Sequence, residues 1–286
     1  MYLRYWGLRE QPFVPRQDPQ AYIASAPHEE ALARLQYVVE SRRRLGLLLG
    51  TPGSGKSLTL AVFGRQLRTL PGQTVRLNLQ GLSPHEFLWQ LAARLSLCPE
   101  RASGPFELWQ ALADRLTENH RQQWTTVVLL DDANLAPRKT LEQVVRLARS
   151  EPICPNRLTM IVASQPNIKD LGRELLELAE LRIDLGTWEL ADTEHFISAC
   201  LARAGRNQKD SVFQPEALLR LHELSQGAIR RVAQLADLAL LAAAGSKLQQ
   251  IDAHTVEAVY EELGVMDACV SDVQRSGSEW LKAQAV

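Results

Sequence analysis

Little in this sequence favours a highly charged or membranous partner. Lys and Arg number 32 against 33 Asp and Glu, a formal charge of −1. The overall balance therefore gives no footprint for nucleic acid or an anionic bilayer, and any such surface must be local. No stretch approaches the roughly 18 unbroken apolar residues of a membrane span. Even Leu235 to Ala244 is split by Asp237. The opening Met1-Tyr2-Leu3-Arg4-Tyr5-Trp6 lacks the apolar core of a secretory signal. Cysteine is sparse: Cys98, Cys154, Cys200 and Cys269 are far apart, with no C-x-x-C pair and no histidine cluster beside them. That spacing speaks against a disulfide framework and a structural zinc site, and for free thiols in a reducing compartment. A cytoplasmic protein with no transmembrane segment is the expectation.

What is present is an ordinary globular composition, 45% hydrophobic over 286 residues, enough for one sizeable domain and a smaller one. Gly50-Thr51-Pro52-Gly53-Ser54-Gly55-Lys56-Ser57 fits G-x-x-x-x-G-K-[ST], a phosphate-binding loop that opens a helix. Glycines let the backbone curl so that its N–H groups point inward at a phosphate. Lys56 then reaches the β- and γ-phosphates, the Ser57 hydroxyl meets Mg²⁺, and the helix N-terminus adds its dipole. The apolar run Leu45–Leu49 before the loop reads as a buried parallel strand, and Leu58 to Leu70 has helical spacing. Expected nucleotide contacts run through Gly50, Thr51, Pro52, Gly53, Ser54, Gly55, Lys56, Ser57 and Leu58.

A second feature follows. Thr126-Val127-Val128-Leu129-Leu130-Asp131-Asp132 is an apolar, β-rich run ending in acids. A buried strand with this ending places Asp131 where it holds Mg²⁺ and Asp132 where a general base orients the attacking water. Strands are also expected at 74–79, 158–163 and 181–185, and helices at 28–42, 84–96, 105–120, 137–149 and 168–180. Gln165, just past the fourth strand, is a candidate for touching the γ-phosphate or the water. The alternation predicts a parallel α/β sheet. From Leu190 onward only helices are suggested, at 191–204, 215–224, 228–244 and 252–264. The expected organisation is an extended amino-terminal segment packing on the core (1–27), the nucleotide-binding α/β domain (28–188), a helical lid (189–264) and a tail (265–286). Arg42 to Arg44, Arg146, Arg149 and Arg157 suit either a pore lining or a solvated face.

The chain resembles AAA+ ATPases of the ExeA/GspA type, whose relatives include the transposition regulators TnsC and TniB. The resemblance rests on Met1-Tyr2-Leu3 with Trp6-Gly7-Leu8 and Pro12-Phe13, on His28-Glu29-Glu30-Ala31-Leu32 before the phosphate loop, and on Arg203, Gly205, Phe213, Ser225, Gly227 and Arg230 later. It implies a five-stranded P-loop sheet with a helical lid, oligomerisation as a ring or filament, and ATP hydrolysis to ADP between subunits that acts on a partner protein complex. It also implies that Arg182 is offered to the neighbouring subunit's nucleotide, with Arg173 as a second candidate, and that Arg230 is the lid arginine. Two residues depart from the family pattern: Asp132 stands where Glu is usual, and Ile229 replaces the Pro before Arg230. The shorter acid points to slow hydrolysis or an ATP-driven switch. Secretion-type members continue into a membrane span and a peptidoglycan-binding domain that this sequence does not contain. That shifts the expectation toward a cytosolic regulator, with duplex DNA a possible partner.

Overall fold

A computed structural model describes residues 2–14, 19–150, 157–206 and 211–264. The chain divides into two compact units, Arg16–Gly186 and a second made of Met1–Pro15 with Thr187–Val286. The short helix α1 (Tyr2–Tyr5) belongs to the second unit.

The first unit is a sheet sandwiched by helices. It begins with α2 (Ala26–Glu40), which has a proline in its first turn and a buried stripe of Ala31, Leu32, Leu35, Val38 and Val39 at helical spacing. Strand β1 (Leu45–Leu49) follows, then α3 (Lys56–Gln66) and β2 (Gly72–Asn78). Helix α4 (Pro84–Arg94) is opened by a capping box between Ser83 and Glu86, and α5 (Pro105–Arg121) again has proline in its first turn. Then come β3 (Thr125–Asp131), α6 (Arg138–Ala148), β4 (Leu158–Ser164), α7 (Arg173–Leu178) and β5 (Leu181–Asp184).

All five strands are parallel, in the order β2-β3-β4-β1-β5. Every residue of β1 is buried, which explains its unbroken apolar run: both faces are covered. Leu45, Leu47 and Leu49 face a core shared with α4, α5 and α6, while Leu48 faces the core of α2 and α3. Because the strands are parallel, the segments after β1, β3 and β4 leave from one edge of the sheet. That edge is where a ligand site forms in such sheets.

Two expectations for this unit need correction. The helix expected over 168–180 is broken: a 3₁₀ turn, Ile168–Leu171, leads into Gly172 at φ 77°, and only Arg173–Leu178 is α-helical. A left-handed residue ends one helical segment before the next begins. The helix after the loop likewise stops at Gln66 and tightens into a 3₁₀ turn, Leu67–Thr69.

The second unit contains α8 (Leu190–Arg203), α9 (Pro215–Ser225), α10 (Ile229–Gly245) and α11 (residues 253–264). Of the segment expected to extend over 1–27, Met1–Pro15 group with these helices and begin as helix, whereas the chain from Arg16 onward belongs to the sheet unit. Aromatic anchors hold them there. Trp6 is 3% exposed, and its indole N–H donates to the Leu240 carbonyl at 2.9 Å. The Tyr2 hydroxyl donates to Asp237 at 2.7 Å, so the acid that interrupts the apolar run of α10 has a partner. Gly227 is in the left-handed region at φ 66°, and a Cβ there would lie 2.4 Å from the Trp188 carbonyl oxygen. No other residue fits that turn.

Among the described residues Cys98 is exposed and Cys200 is buried, both as free thiols, and burial pushes the Cys200 thiol up to about 12. No helix among them is long and apolar enough to cross a membrane. The expected tail, with Ser271, Ser276 to Ser278 and Trp280, lies outside the described residues, as do Cys154 and Cys269.

Replacing Trp6 with Ala removes a fully packed ring and leaves the Leu240 carbonyl without its donor, a loss of about 3–5 kcal/mol. Trp6→Phe keeps most of the ring and loses mainly the hydrogen bond, about 1 kcal/mol. Thermal unfolding of both variants should rank them in that order below the parent. Equal melting temperatures would mean that the segment does not anchor the helical unit.

Candidate nucleotide-binding site

The loop leaves β1 between its two neighbours. Gly50 N–H donates to the Ser164 carbonyl at the end of β4 (3.2 Å), and Leu185 N–H, just past β5, donates to Leu49 (2.6 Å). A Cβ at Gly50 would fall 2.6 Å from Ser54 Oγ and 3.2 Å from Leu185 Cβ, so a side chain there would displace the buried Ser54 hydroxyl. Gly53 (φ 81°) and Gly55 (φ 96°) take the left-handed conformations that curl the chain. Gly55 is also the N-cap of α3 and offers no side-chain cap, so the first N–H groups of that helix are left for another acceptor. Thr51 and Pro52 are exposed at the tip. Lys56 is 8% exposed, and its ammonium donates to the Gly50 and Thr51 carbonyls at 2.7 and 2.9 Å. Ser54 Oγ is buried with no hydrogen-bond partner. An uncapped helix start, a buried ammonium held by loop oxygens and an unsatisfied hydroxyl fit a bound polyphosphate.

The acidic end of β3 lies one strand away across β4. Leu130 is level with Val162, which is level with Leu47, so Asp131 comes close to the level at which the loop begins. Asp131 is 1% exposed, and its carboxylate pairs with Arg76 of β2 at 3.1 Å. It also accepts the Asp132 backbone N–H at 3.1 Å. Asp132 adopts a left-handed backbone (φ 52°, ψ 42°), and its carboxylate accepts from Asn78 Nδ2 at 2.8 Å. Aspartate tolerates that conformation better than longer acids do, because its short side chain bonds locally. This is a physical reason for Asp at this position. Gln165 follows the residue that binds Gly50, and its backbone N–H donates to Asn134 Oδ1 at 3.2 Å. Ser164 Oγ is buried beside it without a partner.

The donors suit Mg²⁺ only together with a ligand. Among the described residues no three His, Cys, Asp or Glu side chains gather to hold a metal by themselves. Ser57 and Asp131 would supply the protein's share, and phosphate oxygens and water the remainder.

The arginines stand differently. Arg182 lies in β5 level with Leu47, and its guanidinium grips Asp184 with Nε and Nη2 at 3.0 and 2.8 Å. Within one chain it is thus an ion pair on the sheet's edge strand. Arg173, at the start of α7, has a 91% exposed side chain that bonds Glu177 at 2.7 Å. Arg230 is in the first turn of α10, in the helical unit. Of the basic residues suited to a pore, Arg43 pairs with Glu180 (3.2 Å), Arg146 stacks over Trp109 (4.3 Å), Arg149 pairs with Glu174 (3.3 Å) and Arg157 bonds Gln123. Arg76 and Asn78 were not foreseen. Their signal is positional: Asn78 is the last residue of β2 and pairs in register with Asp131.

Residues 39–171 match the family model of the AAA domain. Over 273 residues, 93% of this chain, the sequence is 29% identical to general secretion pathway protein A of Aeromonas hydrophila, and it spans 49% of that protein's length. The fold is similar to that of Drosophila ORC bound to DNA (18% identity, TM-score 0.68, covering 92% of this chain and 66% of that one). It is also similar to Cdc6p from Pyrobaculum aerophilum (17% identity, TM-score 0.64, 84% and 67%). A third similar structure is the RuvB Holliday junction branch migration motor of Thermotoga maritima (16% identity, TM-score 0.57, 88% and 73%). At these identities the structural likeness is one of fold. Phosphate loop, sheet order and both sequence comparisons agree: residues 39–171 match an AAA domain on a P-loop sheet, and the chain as a whole is similar to general secretion pathway protein A.

Proposed function

We propose that this chain binds Mg-ATP in the loop of residues 50–57 and hydrolyses it to ADP and phosphate between copies of itself, driving the assembly or remodelling of a protein complex. The observation that carries this reading is the Lys56 ammonium, buried against the Gly50 and Thr51 carbonyls beneath an uncapped helix start. Lys56 exchanges those carbonyls for phosphate oxygens, and the N–H groups of the loop orient the same phosphates. Bound Mg²⁺ supplies charge neutralisation at the phosphate oxygens, held by Ser57 and Asp131. Asp132 orients the water and takes its proton. Arg182, or Arg173, stabilises the departing charge from a neighbouring copy, and Arg230 keeps the lid role that the resemblance assigns to it. A cytoplasmic site of action is part of this reading, resting on the dispersed free cysteines.

A second reading is an ATP-switched, DNA-binding regulator with slow turnover. It is favoured by the Asn78 tether on Asp132, because that hydrogen bond occupies one oxygen of an already short side chain and holds it in place. Steady-state phosphate release with and without duplex DNA separates the two: fast release without DNA supports the first, and DNA-dependent or negligible release the second.

Lys56→Ala should fold and lose ATP affinity by about 10- to 100-fold, the worth of a charge-assisted contact. Calorimetry showing parental affinity would overturn the loop assignment. Asp132→Asn should bind ATP as the parent does and slow single-turnover hydrolysis by about 10²- to 10⁴-fold. Parental rates in that variant would pass the role to Gln165 or to a neighbouring copy. Arg182→Ala should bind ATP without hydrolysing it, and mixing it with Lys56→Ala should recover part of the activity through mixed interfaces. If both variants assemble and no mixing ratio recovers activity, Arg182 does not act in trans.

A further inference from the structure

His28 is a buried titratable side chain, 1% exposed, that the chemistry above does not use. It stands in the first turns of α2, where its ring bridges two elements. Nε2 lies 3.0 Å from the carbonyl oxygen of Ser54, inside the phosphate loop, and Nδ1 lies 2.7 Å from Ser25 Oγ. A carbonyl oxygen can only accept, so Nε2 carries the proton, and in the neutral ring Nδ1 accepts from the Ser25 hydroxyl. Tyr22 packs edge-on against the imidazole, with ring centres 6.3 Å apart, and is tied down by its hydroxyl's bond to Glu29 at 2.7 Å. The ring is fixed at both nitrogens and along one side.

The peptide it grips is the one most in need of a clamp. The link between Ser54 and Gly55 runs into Gly55 at φ 96°, and Gly53, one residue before Ser54, is at φ 81°. Glycine crosses between wells at little steric cost, so on the Gly55 side this plane has no steric hold of its own. A trans peptide is planar, with its C=O and N–H pointing in opposite directions. Drawing Ser54 O toward His28 therefore turns Gly55 N–H the other way.

We propose that His28 is a positioning residue for phosphate: through Ser54 O it locks the Ser54–Gly55 peptide so that Gly55 N–H is presented to the β-phosphate of the bound nucleotide. The inference rests on the loop being the nucleotide site. His28 touches neither substrate nor metal. Its effect falls on affinity for nucleotides that carry a β-phosphate, and a donor of similar reach can replace it.

The test compares parent, His28→Leu and His28→Gln by calorimetry with Mg-ATP and Mg-ADP, alongside the melting temperature of each without nucleotide. Leu keeps bulk without a donor, and Gln returns an N–H at comparable reach. His28→Leu should weaken both nucleotides about tenfold, the worth of one neutral hydrogen bond, and His28→Gln should recover most of that. The recovery should hold even where the two variants melt alike. Parental affinity in His28→Leu overturns the proposal. Equal losses in Leu and Gln that track their melting temperatures also overturn it, because packing alone then explains them. A parent that binds neither nucleotide removes the loop reading and this inference with it, whereas a binding parent leaves the loop reading intact whatever His28 does. Nitrogen-15 NMR of the parent's histidines needs no variant: a protonated Nε2 on His28 supports the clamp, and a neutral ring protonated at Nδ1 refutes it.

Discussion

A buried ammonium needs fixed oxygens around it, and the placement of Lys56 sets the terms for much of the sheet unit. Removing a charge from water costs several kcal/mol even after relaxation, and only well-placed acceptors offset that. The acceptors are the Gly50 and Thr51 carbonyls, so the exit from β1 must not move. It is held from both sides, by Ser164 at the end of β4 and by Leu185 after β5. A strand at the sheet edge would lack one of these holds. Centrality of β1 in turn demands apolar residues on both faces, which is why Leu45, Leu47 and Leu49 serve one core and Leu48 the other. The glycines answer the same demand at shorter range, since Gly50 leaves room for the Ser54 hydroxyl.

The acidic side obeys a related rule with a different solution. Asp131 is almost as buried as any core leucine, and an unpaired carboxylate there would be costly. Arg76 reaches it from β2, with its side chain still 30% exposed. The pairing gives the buried carboxylate an opposite charge at 3.1 Å, while Arg76 keeps some access to solvent. Asp132, one residue on, leaves the strand in a left-handed turn that ends the ladder and lets Asn78 hold its carboxylate. The geometry that shortens its reach thus also fixes its direction, so the aspartate is consistent with its backbone.

How far the site was legible depended on whether its parts lie close together along the chain. The phosphate loop is contiguous, and each of its residues carries its own reason, so Gly50 to Ser57 could be read directly. The apolar run ending at Asp131 and Asp132 is contiguous too. Arg76 and Asn78 could not be read, because their meaning arises only when β2 lies beside β3 in one particular register. The break at Gly172 was hidden because glycine is tolerated within helical spacing, and only its φ of 77° shows that the helix stops there. The aromatic amino-terminal residues were recognisable as anchors, but not what they anchor to: Trp6 meets a carbonyl of α10 that lies over 200 residues away in sequence. His28 was legible as part of a resemblance, and its bond to Ser54 needed coordinates.

The two arginines proposed to act on a neighbouring copy both have carboxylate partners in the single chain, Arg182 with Asp184 and Arg173 with Glu177. That does not set them against the trans role. Both pairs are solvent-exposed, where water screens the attraction and holding two flexible side chains together costs entropy, so each pair is weak and easily exchanged. A polyphosphate carries more charge than one carboxylate and sits where water is excluded, so an arginine brought near it gains more than it gives up. What separates the two candidates is location: Arg182 lies on the edge strand beside β1, level with Leu47, whereas Arg173 opens the helix before it. An edge strand carries unpaired backbone groups along its outer side, so the trans role proposed for Arg182 would put a second copy beside β5, and that for Arg173 beside the start of α7.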